Sequence, residues 1–268
     1  MRFFNTAGPV DPSKHYAISP LARLADEDLL SLIQQEKYFI LHAPRQTGKT
    51  SALLGLMREL NESGDYTAVY INVEVVQGLR EQIGPALQGI LRELATNVQF
   101  YLGNRALAAE IRELAAIEAP GSALSEGFGC LAQSSPKPVV LFIDEIDSLI
   151  GDTLITALHQ IRAGYTKRST GFPQSIVLCG MRDIKDYRIH ASSEKEVITG
   201  GSCFNIKAES LRLGDFSVAE MRELYVQRTG AADAHLLIFN RHPEIPWEQK
   251  IFRREESHEA LAITVWGM

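Results

Sequence analysis

An α/β fold in three layers, a parallel sheet with helices on both faces, is what this chain predicts, and three observations predict it. Short apolar runs alternate with helical periodicity through roughly the first two hundred residues. One of these runs, Val139-Val140-Leu141-Phe142-Ile143, is continuously apolar, as suits a strand buried on both faces of a parallel sheet. Finally, the apolar run Tyr38–Leu41 is followed by a turn ending Gly48-Lys49-Thr50 and then by an apolar periodic segment, Ser51 to Leu60. Strand, tight loop and helix in that order wrap the phosphates of a nucleotide.

The elements follow one another consistently. The first residues, rich in Pro, Gly and Ser, read as an extended arm. From Asp26, Leu29, Leu30 and Ile33 repeat at helical spacing and stop at the strand beginning with Tyr38. After the phosphate loop and its helix, Thr67–Val73 reads as a second strand. Leu79, Ile83, Leu87, Ile90, Leu91, Leu94 and Val98 trace one face of a long helix. Helical pattern continues through Leu107, Ile111 and Leu114 and breaks at Pro120-Gly121. The third strand is Val139–Ile143, launched by Pro136 and Pro138 and ending in Asp144-Glu145. A helix through Leu154–Ile161 leads to a fourth strand, Ser175–Cys179, which runs into Gly180-Met181-Arg182-Asp183. A different texture begins near Leu213. Ser217-Val218-Ala219-Glu220 is a capping box that starts a helix through Met221, Leu224 and Tyr225. Beyond Gly230, Ala234–Asn240 and Ala262–Trp266 read as strands.

Composition narrows the function classes. With 268 residues and 45% apolar content the chain buries a substantial core, in one large domain or two small ones. Charged residues interrupt every apolar run before it reaches the length of a membrane span, so no membrane association is expected. Met1-Arg2-Phe3-Phe4-Asn5 does not read as a secretory signal. Cys130, Cys179 and Cys203 are scattered, as expected of buried free thiols in a reducing cytoplasm. The net charge of −6 gives no general reason to expect nucleic acid, although it leaves room for a local basic patch.

Nucleotide chemistry needs a phosphate cradle, a metal, an oriented water and a monitor of the γ-phosphate. The cradle is Ala43, Pro44, Arg45, Gln46, Thr47, Gly48, Lys49, Thr50 and Ser51, whose backbone N–H groups and helix N-terminus face anionic phosphates. Lys49 bridges the β and γ groups, and Thr50 places a hydroxyl on Mg²⁺. One position departs from the pattern G-x-x-x-x-G-K-[ST]: Ala43 stands at the first Gly, which a negative φ would allow. Asp144 and Glu145 end the buried strand where open parallel sheets bind ligands. Asp144 would hold Mg²⁺ beside Thr50, and Glu145 would orient or deprotonate the attacking water. The competing reading of these acids is a helix N-cap. Arg182, after the fourth strand, reaches the γ-phosphate or is an ordinary surface arginine. Arg162, Lys167 and Arg168 supply an arginine finger to a neighbouring subunit or a solvated helix end. Tyr16 and Arg23 cover the adenine or merely pack.

At these residues the chain resembles the AAA-like branch of P-loop NTPases, close to bacterial and archaeal ATPases related to the origin-recognition and signalling (STAND) groups. The resemblance is carried by His15–Arg23, by Ala43–Thr50 (the Walker A position), by Leu141–Asp147 (Walker B) and by Val177–Asp183. It covers roughly the first 229 residues. It implies a P-loop NTPase domain over residues 1–212 that binds ATP with Mg²⁺ and hydrolyses it, with Glu145, Lys49 and Arg182 as the catalytic set. It also implies a sensor role for Arg182 and a helical lid opening at Leu213-Gly214-Asp215-Phe216-Ser217. Here the lid is truncated to about one helix, 213–229. Residues 230–268 look like the end of a PD-(D/E)XK nuclease-like domain, a short α+β tail lacking that family's cutting acids; Glu248 and Lys250 do not fall on the matching strand. An internal deletion between Leu224 and Gly230 would account for this junction. The implied function is an ATP-driven switch or motor module, acting as a homo-oligomer or with a protein partner. A non-hydrolysing nucleotide-dependent scaffold is the alternative.

Overall fold

A computed structural model describes residues 2–5, 8–24, 29–117, 119–183, 188–190, 197–199, 207–229, 252–253 and 260–261. Five parallel strands form its centre: β1 Tyr38–His42, β2 Thr67–Asn72, β3 Val139–Asp144, β4 Ser175–Gly180 and β7 Lys207–Arg212. Their order across the sheet is β2-β3-β4-β1-β7. The chain therefore leaves β1, crosses to the far edge at β2, and returns strand by strand until β4 lies against β1. That reversal opens a crevice beyond the carboxyl ends of β1, β3 and β4, where parallel sheets take their ligands.

Alternate residues of β1 to β4 enter two separate cores. Phe39, Leu41, Ala68, Tyr70, Val140, Phe142, Val177 and Cys179 face α1 (Leu29–Gln34) and α2 (Lys49–Ser63). Tyr38, Ile40, Val69, Ile71, Leu141, Ile143, Ile176 and Leu178 face α3 (Ile83–Leu102), α4 (Arg105–Leu114), α5 (Ala123–Gln133) and α6 (Gly151–Gly164). Burial on both faces is why the central strands are apolar without alternation. The expected three-layer α/β architecture is observed.

Several boundaries differ from the sequence expectation. Val73 and Leu79 bound a 3-10 helix rather than ending a strand and opening α3. The Asn72 side chain caps this turn by accepting from Glu74 N, and Arg80, at φ 48°, breaks the path before Ile83. Two elements lacked a legible signal. Helix α5 carries Gly127 and Gly129 in its interior, where glycine weakens helical preference. Gly127 is demanded by packing, because a Cβ there would lie 2.3 Å from Leu91 Cδ2 of α3. Strand β7, Lys-Ala-Glu-Ser-Leu-Arg, is the polar edge of the sheet, with Leu211 buried at its carboxyl end. Short antiparallel pairs, β5 Arg188–His190 with β6 Val197–Thr199 and β8 Phe252–Arg253 with β9 Ala260–Leu261, were also not anticipated.

The capping box forms as the sequence predicts. Ser217 N donates to Glu220 Oε2 at 2.6 Å and Glu220 N donates to Ser217 Oγ at 3.2 Å, starting α7 (Val218–Thr229). The strands expected at Ala234–Asn240 and Ala262–Trp266, together with Cys203, Gly230, Glu248 and Lys250, lie outside the described residues. The expected nuclease-like tail thus rests on its sequence alone. Cys130 is a half-buried free thiol and Cys179 a fully buried one. Among the described residues no helix is long and apolar enough to cross a membrane.

Candidate nucleotide-binding site

The loop between β1 and α2 is anchored at its start by the sheet. Ala43 N donates to Gly180 O of β4 at 3.2 Å, and Leu213 N donates to His42 O at 3.0 Å. Ala43 is fully buried and does not take a positive φ, so its methyl group is accommodated where the pattern asks for glycine. The turn itself needs left-handed backbone twice, at Gln46 (φ 59°) and Gly48 (φ 88°). Gly48 is the residue whose freedom matters, since it sits at the N-cap of α2 with its N–H row open to an anion. Thr47 Oγ1 closes the loop by donating to Pro44 O at 2.8 Å. Arg45 and Gln46 are exposed on its outer side. Lys49 is only 5% exposed and folds back, donating from Nζ to Ala43 O at 2.9 Å and Pro44 O at 3.0 Å.

Asp144 brings the separate motifs together. Its side chain is fully buried, and Oδ2 accepts from Thr50 Oγ1 at 2.7 Å. The same oxygen accepts from Tyr70 Oη at 3.0 Å, while Oδ1 accepts from Glu145 N at 2.9 Å. Sequence reading paired Thr50 with Asp144 but missed Tyr70, whose place in an apolar strand marks it as core. Burial, and then the neighbouring Asp144 charge, push the Tyr70 hydroxyl well above its ordinary range, so it acts as a donor. Cys179, on the adjoining strand, is likewise raised by burial and then by Asp144, which makes it an inert filler rather than a nucleophile.

Glu145 follows with φ 57°, a left-handed conformation uncommon outside glycine. It stands at the N-cap of the short 3-10 turn Ile146–Ser148 without making a side-chain cap bond, so the capping alternative does not describe it. Its carboxyl is half-buried and raised above the ordinary value, first by burial and then by Asp144, Asp147 and Glu74, with Lys49 opposing. Asp147 Oδ1 accepts from Met181 N at 3.2 Å, which ties the end of β3 to the end of β4. Arg182 is exposed one residue further on, at this same carboxyl edge. Arg168 lies elsewhere: it pairs with Glu36 at 3.5 Å and covers the Tyr165 ring at 4.0 Å. Because Glu36 precedes β1, that pair belongs to the opposite edge of the sheet.

The amino-terminal arm and the segment leading into α7 meet over the loop. Val10 N donates to Ser51 Oγ at 3.2 Å. Arg23 Nη2 donates to Thr47 O, its Nη1 donates to Gly214 O at 3.0 Å, and its guanidinium lies 4.2 Å from the centre of the Phe216 ring. Arg23 therefore packs, but it packs the loop, the arm and the Gly214–Phe216 segment into one wall. Tyr16 joins Val10, Gly48, Ser51, Phe216 and Leu224 in lining a cavity of about 130 Å³ beside the loop. The close approach depends on Gly55 of α2, where a Cβ would stand 2.7 Å from Pro20 Cγ.

A parallel sheet with a strand–loop–helix cradle at its carboxyl edge, a lysine folded over the loop, and a Thr–Asp pair joining α2 to β3 together define an α/β fold of the P-loop NTPase type. No protein-family model matches the chain, and no curated protein matches it. Among solved structures it is similar to a chain of the HORMA:CdnC:Trip13 complex of E. coli MS115-1, at 10% identity and TM-score 0.45, over 78% of this chain and 60% of that one. It is also similar to a DNA replication initiation factor, at 14% identity and TM-score 0.42, over 80% of this chain and 52% of that one. A third is a chain of the Drosophila ORC bound to GC-rich DNA and Cdc6, at 10% identity and TM-score 0.43, over 78% and 31% of the two chains. The chain spans at most about three-fifths of these proteins.

Proposed function

We propose that this chain binds ATP with Mg²⁺ and hydrolyses it, as an AAA-like switch or motor module comprising residues 1–212 and a one-helix lid at 213–229. The observation that carries this reading is the 2.7 Å bond between Thr50 and Asp144, from two motifs 94 positions apart, beside the loop that Lys49 closes. A hydroxyl and a carboxylate are hard oxygen donors, a set that fits Mg²⁺. When bound, the metal would supply positive charge to the β- and γ-phosphates. Phosphate oxygens would take the N–H groups of Arg45 to Ser51, since that of Ala43 is held by Gly180 O and Pro44 has none, and draw Lys49 away from the two carbonyls it now serves. The base would enter the cavity between Tyr16 and Phe216.

Glu145 is the proton acceptor for the attacking water, its raised basicity suiting that task better than an ordinary surface carboxylate would. Arg182 is the γ-phosphate monitor, at the carboxyl edge shared with Glu145. The test measures ATP binding and phosphate release in the wild type and two variants. Lys49→Ala is expected to abolish both, whereas Glu145→Gln keeps binding and loses release by about a hundredfold or more. ATP binding that depends on Lys49 without any release would select the non-hydrolysing scaffold. Release indifferent to both substitutions would overturn the site.

A further inference from the structure

Ala17 lies in the lining of the cavity, and both of its backbone polar groups are engaged by one side chain. Ala17 N donates to Gln227 Oε1 at 3.2 Å, and Gln227 Nε2 donates to Ala17 O at 2.7 Å. The partners are 210 positions apart, one on the arm and one on α7. Gln227 follows Leu224 by three residues and so shares its helix face, and Leu224 lines the same cavity. A planar carboxamide thus presents an acceptor and an NH₂ donor side by side to a backbone N–H and C=O. Adenine presents the same pair, a ring nitrogen acceptor beside its 6-amino donor. Guanine does not on the edge that carries position 6, because a carbonyl replaces that amino group.

From this we infer that the Gln227 carboxamide is a built-in stand-in for adenine: it closes the edge by which the cavity reads the base, and adenine binds by displacing it from Ala17. The inference deepens the nucleotide-site reading and rests on it. Displacement exchanges two hydrogen bonds for two equivalent ones, so the clasp lowers the affinity for ATP while excluding bases that cannot make the exchange. It also releases the lid helix from the arm when the base enters, coupling occupancy to the contact between them.

The test compares ATP, GTP and purine riboside triphosphate, which lacks the 6-amino group, on the wild-type chain and on Gln227→Met, which keeps the length of the side chain. The expected result is that Gln227→Met binds both ATP and GTP roughly tenfold tighter, because either base is then spared the displacement, while the preference for ATP that Ala17 imposes stays unchanged. On the wild type, ATP is expected to bind more tightly than purine riboside triphosphate. Should Gln227→Met bind ATP equally or more weakly, or leave the binding of GTP unmoved, the clasp is overturned. If that variant fails to fold, the wild type decides alone: equal binding of ATP and the analogue overturns the inference. Binding of all triphosphates that is absent, or unmoved by Lys49→Ala, overturns the nucleotide site and the clasp with it. Lys49-dependent binding with the wrong response at Gln227 overturns only the clasp.

Discussion

Replacing Tyr70 with phenylalanine removes a single hydroxyl from the Asp144 carboxylate and leaves the ring in its packing. That hydroxyl donates at 3.0 Å to Oδ2, an oxygen that also accepts from Thr50 at 2.7 Å, in a side chain with no exposed surface. A hydrogen bond to a charged group contributes about 1.5–3 kcal/mol. Because Thr50 still serves Oδ2 after the change, the expected loss in Tyr70→Phe lies at the lower end, about 1–2 kcal/mol. Thr50→Val, at a half-exposed position, is expected to cost about 1 kcal/mol. With both changes Oδ2 loses both of these donors inside a buried carboxylate, so the double variant should be destabilised by about 1 kcal/mol more than the sum of the two single losses. Urea unfolding of the four proteins, read at unchanged slope, measures all three quantities. A Tyr70→Phe effect within about 0.5 kcal/mol, the scale of an inert surface change, would refute the buried bond. Strict additivity would refute the shared oxygen.

Two other expectations concern the same site. Glu145 carries a carboxyl raised above its ordinary 4.5, so the folded state holds its proton longer than the unfolded state and stability falls as pH rises past that value. Glu145→Gln, neutral throughout, should therefore be more stable than the wild type at pH 7 and indistinguishable from it below the ordinary glutamate range; parallel stability curves across that window would contradict this. Ala43→Gly restores the consensus loop but removes a buried methyl group and frees the unfolded backbone, which predicts a loss of about 1 kcal/mol on denaturation. ATP titration of that variant should show no gain in affinity; a clear gain would mean that the methyl group obstructs the phosphates.

How much of this was legible depended on whether a residue's partner was local. The strands β1 to β4 announce themselves because burial on both faces requires unbroken apolar runs. Gly48, Lys49 and Thr50 stand out because a tight loop entering a helix restricts residue type at fixed spacing, and Ser217 with Glu220 because a capping box closes within one turn. Strand β7 was silent, since an edge strand needs few apolar residues, and α5 was masked by the glycines that let it approach α3. Tyr70 read as core because its apolar ring, not its hydroxyl, governs a strand pattern.

By itself, then, the sequence determined the α/β class and the strand–loop–helix run from Tyr38 to Leu60, both of which follow from short-range periodicity and spacing, and its motif pattern anticipated Thr50 beside Asp144. Only the tertiary structure decided the strand order, the donation of Tyr70 to Asp144, the left-handed backbone of Glu145, and the meeting of Tyr16, Arg23, Phe216 and Gln227 over the loop. These depend on contacts between residues distant in the chain, and no local propensity encodes which distant backbone a side chain will find.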